Sequence, residues 1–249
     1  MADARSLYID LLIRCVSNTI YGDPSTEPGR IDRSYQFAIR NEGRDWPAVA
    51  HSMAGLKRLN NLRELTETIL KEKIPGDLIE TGVWRGGSCI LMRGILSAYG
   101  DTDRTVIVAD SFEGLPPPDA KRYPADKGDR LYTFGQLAIG VDTVKANFSA
   151  YGLLDDQVQF LKGWFCNSLP TVRDRQFALL RLDGDMYAST MDALTNLYDR
   201  LSPGGFIIVD DYGAIPACKQ AVEDFRAANG IDAPITMVDW TGAWWRKPA

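Results

Sequence analysis

The chain has 249 residues, 45% hydrophobic and 24% charged, which suits one large α/β unit with a substantial core. Its formal net charge of -5 leaves no basic surplus to neutralise phosphates and argues against a nucleic-acid partner. No apolar run reaches membrane-spanning length, and Asp3, Arg5, Asp10 and Arg14 interrupt the place where a signal-peptide core would lie, so no membrane partner and a cytoplasmic location are expected.

Residues 1–75 read as a helical N-terminal region. Tyr8, Leu11, Leu12, Cys15 and Val16 follow the spacing of an amphipathic helix, and 49–73, rich in Leu, Glu and Lys, reads as one or two further helices ending at Pro75-Gly76. Strands and helices then alternate. An apolar strand at 78–81 leads through a glycine-rich turn into a helix over 88–99, closed by Gly100. Further strands are predicted at 105–109, 158–161, 177–182 and 206–209, short and continuously apolar as in a parallel sheet covered on both faces. A closing hairpin is predicted from 236–240 and 243–246 around Thr241-Gly242, with Trp244 and Trp245 packing its last strand. The fold class is therefore α/β: a doubly wound, mostly parallel sheet with an antiparallel C-terminal hairpin, its sites at the carboxyl ends of the strands. The polar, proline-rich stretch 112–138 breaks the alternation, and an insertion of that kind is either a disordered loop or an active-site lid.

The four cysteines, Cys15, Cys89, Cys166 and Cys218, are far apart and read as buried free thiols, while His51 is the only histidine. A zinc or iron centre and a Ser-His-Asp or Cys-His pair are thereby disfavoured, and any metal must be held by oxygen. His51 is a candidate second base or acceptor contact, and equally a packed helical histidine. Trp46 and Met53 are candidates for an apolar acceptor wall, and equally core.

The turn Glu80-Thr81-Gly82-Val83-Trp84-Arg85-Gly86-Gly87-Ser88 lies between a strand and a helix, where glycine permits close backbone approach to a ligand. It lacks the G-x-G-x-x-G spacing of nicotinamide enzymes, which disfavours an oxidoreductase. Asp110, 28 residues beyond Gly82 at the end of the next strand, suits a ribose-binding carboxylate.

Together ETGVWRGGS, VADSFEGLP, LKGWF, LRLDGDMYAST, FIIVDDY and the upstream HSMAGLKRLNNL resemble, in order and spacing, the macrocin O-methyltransferase family of antibiotic deoxysugar methyltransferases. The resemblance covers nearly the whole chain. It implies a class I methyltransferase fold, S-adenosylmethionine as donor, Mg²⁺, a glycoside acceptor and a homo-oligomer. By the same resemblance Glu80, Thr81, Gly82, Val83 and Ser88 line the methionine and ribose side, Asp110 and Ser111 hold the ribose, and Gly163-Trp164 meet the adenine; Trp164 also fits a strand-end core aromatic. The turn departs from the E-x-G-x-G-x-G spacing common among class I methyltransferases.

Asp183 and Asp185 follow one apolar strand and Asp210-Asp211 end the next. Neighbouring strand tips lie about 5 Å apart, so the four carboxylates converge and repel unless a cation or shared protons compensate them. An all-oxygen set points to Mg²⁺, and the resemblance makes Asp183, Asp210 and Asp211 its ligands. About three octahedral positions then remain, enough for a chelating diol and a water. Asp185 is left as the candidate general base beside Asp183, since a proton moved onto it leaves an alkoxide next to Mg²⁺ and the sulfonium without adding net charge. A catechol-type small-molecule O-methyltransferase is the nearest alternative. Such an enzyme is expected to carry a lysine base, and 179–190 contains none.

Overall fold

The computed structural model describes residues 3–248; residues 1, 2 and 249 of the expected N-terminal region and domain lie outside it. The first helix, α1 (Ala4–Val16), starts where the Asp3 carboxylate accepts the Ser6 amide at 2.8 Å. Its buried stripe is Ile9, Leu12, Ile13 and Val16, whereas Tyr8 and Leu11 are 40% and 54% exposed. This corrects the predicted stripe by a fraction of a turn. The cause lies in the next layer, where Gly94 has no side chain and Leu12 occupies the space a Cβ there would need, 2.2 Å away.

After a short α2 (Phe37–Asn41) comes α3 (Gly55–Glu72), which buries Leu59, Leu62, Leu65 and Ile69 on one face. Much of 17–54 is irregular rather than helical. The fully buried Arg40 organises it, binding Asp23, Asp45 and the Ser17 carbonyl, and the amides of His51 and Ser52 both go to the carbonyl of Val16. Backbone committed to those partners cannot also form helix.

From residue 77 the elements alternate: β1 (Asp77–Thr81), α4 (Gly87–Tyr99), β2 (Val106–Asp110), α5 (Val141–Ala150), β3 (Val158–Lys162), α6 (Phe165–Ser168), β4 (Phe177–Leu182), α7 (Tyr187–Leu197), β5 (Leu201–Val209), α8 (Pro216–Ala228), β6 (Thr236–Met237) and β7 (Ala243–Arg246). The sheet order is β3-β2-β1-β4-β5-β7-β6, with the five strands β1 to β5 parallel and β7 antiparallel to both neighbours. Alternate strand residues feed two cores. Leu78, Val106, Leu179 and Phe206 pack with α1, α3, α4 and α5, while Ile79, Ile107, Leu180 and Ile207 pack with α7 and α8. This is the doubly wound α/β sheet with an antiparallel end that the sequence predicts. The hairpin is shorter than 236–240 implied, because the Val238 amide turns to the Gly242 carbonyl and the Asp239 side chain accepts the amides of Thr241 and Gly242. The segment leading from β2 to α5 carries three 3-10 turns, Pro124–Asp126, Leu131–Thr133 and Gly135–Leu137. Of the cysteines expected to be buried, Cys89 and Cys218 are, but Cys166 is exposed and Cys15 only half-buried.

Candidate active site

Strand register assembles the site. Thr81 pairs with Ala109 on one side and Leu182 on the other, and Leu182 pairs with Val209. The next row beyond the strands therefore holds Asp110, Gly82, Asp183 and Asp210 side by side. Gly82 is indispensable in that row: with φ +84°, a Cβ on it would lie 1.8 Å from the carbonyl oxygen of Asp183. Three non-glycine residues with left-handed backbone, Trp84, Phe112 and Asp185, follow β1, β2 and β4 at this same end. Such conformations are costly and gather where a scaffold aims groups into a site.

A cavity of about 780 Å³ opens over the row. Gly82, Asp110, Ser111 and Trp164 line it, with Asp183, Asp185, Asp210 and Asp211 alongside and Trp46 and Met53 from the N-terminal region. Asp110 is fixed by the amides of Val83 and Phe112, each at 2.7 Å, and Ser111 locks its turn through the Gly114 carbonyl at 2.7 Å.

Other predicted donor residues lie off this wall. Val83 and Ser88 are buried beneath the loop, Thr81 is fully buried with its hydroxyl unpartnered, and the Gly163 amide is spent on the Asp110 carbonyl. Glu80 is ion-paired with Arg181 and accepts from the Cys89 thiol at 2.8 Å, so it stands behind the site rather than facing a donor. His51 is packed too: its ring meets the Tyr151 hydroxyl at 3.0 Å and its carbonyl accepts the Gly87 amide. Burial lowers its pKa and favours the neutral form, and the structure does not bring it to the cavity wall.

The acidic cluster contains more than the four predicted carboxylates. Arg181 binds Glu80, Asp183 (2.7 Å) and Asp210, and Arg58 of α3 binds Asp210 and, at 3.2 Å, Asp239. The two arginines cancel the two extra acids, Glu80 and Asp239, so the surplus negative charge expected from Asp183, Asp185, Asp210 and Asp211 persists. Asp183, Asp210 and Asp211 each place a carboxylate oxygen within 4.8 Å of the others, and Asp211 accepts the Asp185 amide at 3.3 Å. Burial and then the neighbouring carboxylates raise Asp183 to about 6 and Asp185 to about 8, and push Asp211 well above the usual range. An oxygen-only set whose charge the arginines leave uncompensated, and which otherwise holds protons, fits a hard divalent cation.

Sequence reasoning passed over Arg181 and Arg58. Arg181 had a signal, a lone charge inside an otherwise apolar strand whose register partner is Glu80. Arg58 falls within the HSMAGLKRLNNL motif, but nothing local ties it to the site, since its partner Asp210 lies 152 residues away.

Residues 5–247 match the macrocin O-methyltransferase family. A Streptomyces olivaceus protein, 8-demethyl-8-(2,3-dimethoxy-alpha-L-rhamnosyl)-tetracenomycin-C 4'-O-methyltransferase, is 53% identical over 248 residues, covering 99% of this chain and 95% of that one. Mycinamicin III 3''-O-methyltransferase of Micromonospora griseorubida is 50% identical over 247 residues, covering 98% and 97%. Among solved structures, the O-methyltransferase NovP superposes with a TM-score of 0.94 at 48% identity, covering 98% of this chain and 100% of that one.

Proposed function

Because the chain belongs to the macrocin O-methyltransferase family, we propose that it methylates a hydroxyl on the deoxysugar of a glycosylated natural product, using S-adenosylmethionine and Mg²⁺. The observation that carries this reading is one cavity bearing both a ribose-type carboxylate, Asp110, and the three-carboxylate set Asp183, Asp210 and Asp211. When bound, the donor supplies a methyl group on a cationic sulfur and the cation supplies Lewis acidity that eases loss of an alcohol proton. The protein's own work is placement and proton removal. Asp110 and Ser111 hold the ribose, Gly82 gives the donor close backbone approach, and Trp164 meets the adenine face. Asp183, Asp210 and Asp211 hold the cation, with Arg181 and Arg58 fixing Asp210. Asp185 takes the hydroxyl proton: it lines the cavity beside the three cation ligands, and a cation bound among its neighbours would offset the carboxylate repulsion and keep it ionised to accept.

Trp46 and Met53 form the acceptor wall, and 112–138 acts as a lid that excludes water. Two contacts favour a seated lid. The Trp84 indole donates to the Gln136 carbonyl at 2.9 Å, and Phe134 meets Trp46 edge to face at 5.5 Å. No helix among the described residues is long and apolar enough to cross a membrane. A homo-oligomer is supported by Leu7 and Leu11, 58% and 54% exposed on α1.

Mass spectrometry of rhamnosides and deoxysugar glycosides incubated with protein, donor and Mg²⁺ tests the reading. A mass gain of one methyl group is expected, abolished by EDTA and restored by Mg²⁺. Full turnover after exhaustive chelation refutes the metal assignment, and no methylation of any glycoside refutes the acceptor class.

A further inference from the structure

Asp126 stands outside the carboxylate cluster and is buried as deeply as any of its members, 2% exposed in the middle of the 112–138 segment. Its two carboxylate oxygens accept the amides of Tyr187 at 2.6 Å and Ala188 at 3.0 Å. These are the first two residues of α7, a helix that otherwise opens without help, since Met186 at its N-cap position offers no side-chain hydrogen bond. A cap normally comes from the residue just before the helix. Here it comes from 61 residues upstream, out of the 112–138 segment. Tyr123 packs on Tyr187 beside it, ring centroids 5.8 Å apart.

What α7 follows gives this contact its meaning. Asp183, Gly184 and Asp185 run directly into the helix, with the Met186 amide on the Gly184 carbonyl at 2.6 Å and the Thr190 amide on the Met186 carbonyl at 3.0 Å. With Asp185 in a left-handed conformation, the turn has little slack, and where α7 begins decides where its carboxylates stand.

We propose that Asp126 is a positioning residue: the seated lid completes the cap of α7 and so fixes the Asp183–Gly184–Asp185 turn, making the acidic site competent only while the lid is down. This rests on the reading of Asp183 as a cation ligand and Asp185 as the base. A buried carboxylate here is stabilised by the two amides and the positive end of the helix. When the lid lifts, both amides lose their partner at once, and the turn loosens together with the lid.

The test uses Mn²⁺ as the cation, followed by electron paramagnetic resonance, and hydrogen exchange in the protein loaded with S-adenosylmethionine and Mg²⁺. Asp126→Ala is expected to weaken Mn²⁺ binding about 10- to 100-fold, as loss of a group that orients ligands does, with donor affinity changed less than about twofold. Exchange over 183–190 and over 119–138 should quicken together, roughly tenfold for a lost N-cap. Asp126→Asn keeps one acceptor oxygen and should fall between wild type and Asp126→Ala, which also covers a poorly folding alanine variant. Wild-type Mn²⁺ affinity in both variants overturns the proposal, as does unchanged exchange over 183–190. If the wild-type protein binds no Mn²⁺, the metal reading fails, and exchange over 183–190 still decides whether Asp126 holds the turn.

Discussion

Arg181 carries a disproportionate share of the site, one guanidinium satisfying Glu80, Asp183 and Asp210 inside the sheet edge. Replacing one member of such a network strands the others as buried charges. Arg181→Met should therefore destabilise the protein by about 3–5 kcal/mol, measured by urea unfolding, although Met fills a similar volume. A loss below about 1 kcal/mol, the scale of an exposed pair, would mean that water reaches these carboxylates. Asp185→Asn makes the contrasting prediction. It removes the proposed proton acceptor without disturbing an ion pair, so kcat should fall roughly 10²–10⁴-fold while calorimetry shows donor affinity unchanged. A wild-type kcat would put the base elsewhere.

At the scale of elements, periodicity located every strand of the parallel sheet, because strands covered on both faces are short apolar runs. It misplaced the face of α1, because its residues include more apolar positions than one face can bury and only the contact with Gly94 selects among them. Ile9→Ala should consequently cost about 2–5 kcal/mol, as core truncation does, and Leu11→Ala close to nothing in the monomer. Comparable losses in both would show that a partner covers the exposed stripe. The irregular 17–54 region was illegible for a different reason. Its structure depends on one buried arginine whose partners, Asp23 and Asp45, look in the sequence like ordinary surface acids. The carboxylates of the site were legible because strand ends reveal themselves by where apolar runs stop. Of the buried counter-ions, Arg181 was marked by standing alone as a charge in an apolar strand, but the role of Arg58 was not legible, since a charge in a helix gives no hint of what it reaches across the fold.

For the whole molecule, the raised carboxyl pKa values make stability depend on pH. Asp183 near 6, Asp185 near 8 and Asp211, also pushed well above the usual range, bind protons in the folded state that the unfolded chain, with carboxyls near pH 4, has already released. Stability therefore falls as pH rises between about 4 and 8. The Tm of chelator-treated protein should drop across that window, and Mg²⁺ should flatten the slope by holding the same carboxylates ionised. A slope indifferent to Mg²⁺ would assign the effect to Glu80, which burial raises to about 7 against the pull of Arg181, and would count against a cation among the aspartates.

The contact between Gly82 and the Asp183 carbonyl has a consequence for redesign. The donor loop and the acidic turn touch backbone to backbone, with no side chain between them to trade for a larger or smaller one. Room for a donor bearing a group bulkier than methyl cannot be cut at that seam without shifting the carboxylates as well. Broadened alkyl transfer has to be sought elsewhere around the cavity, where Trp46, Met53 and residues of 112–138 bring exchangeable side chains to its lining.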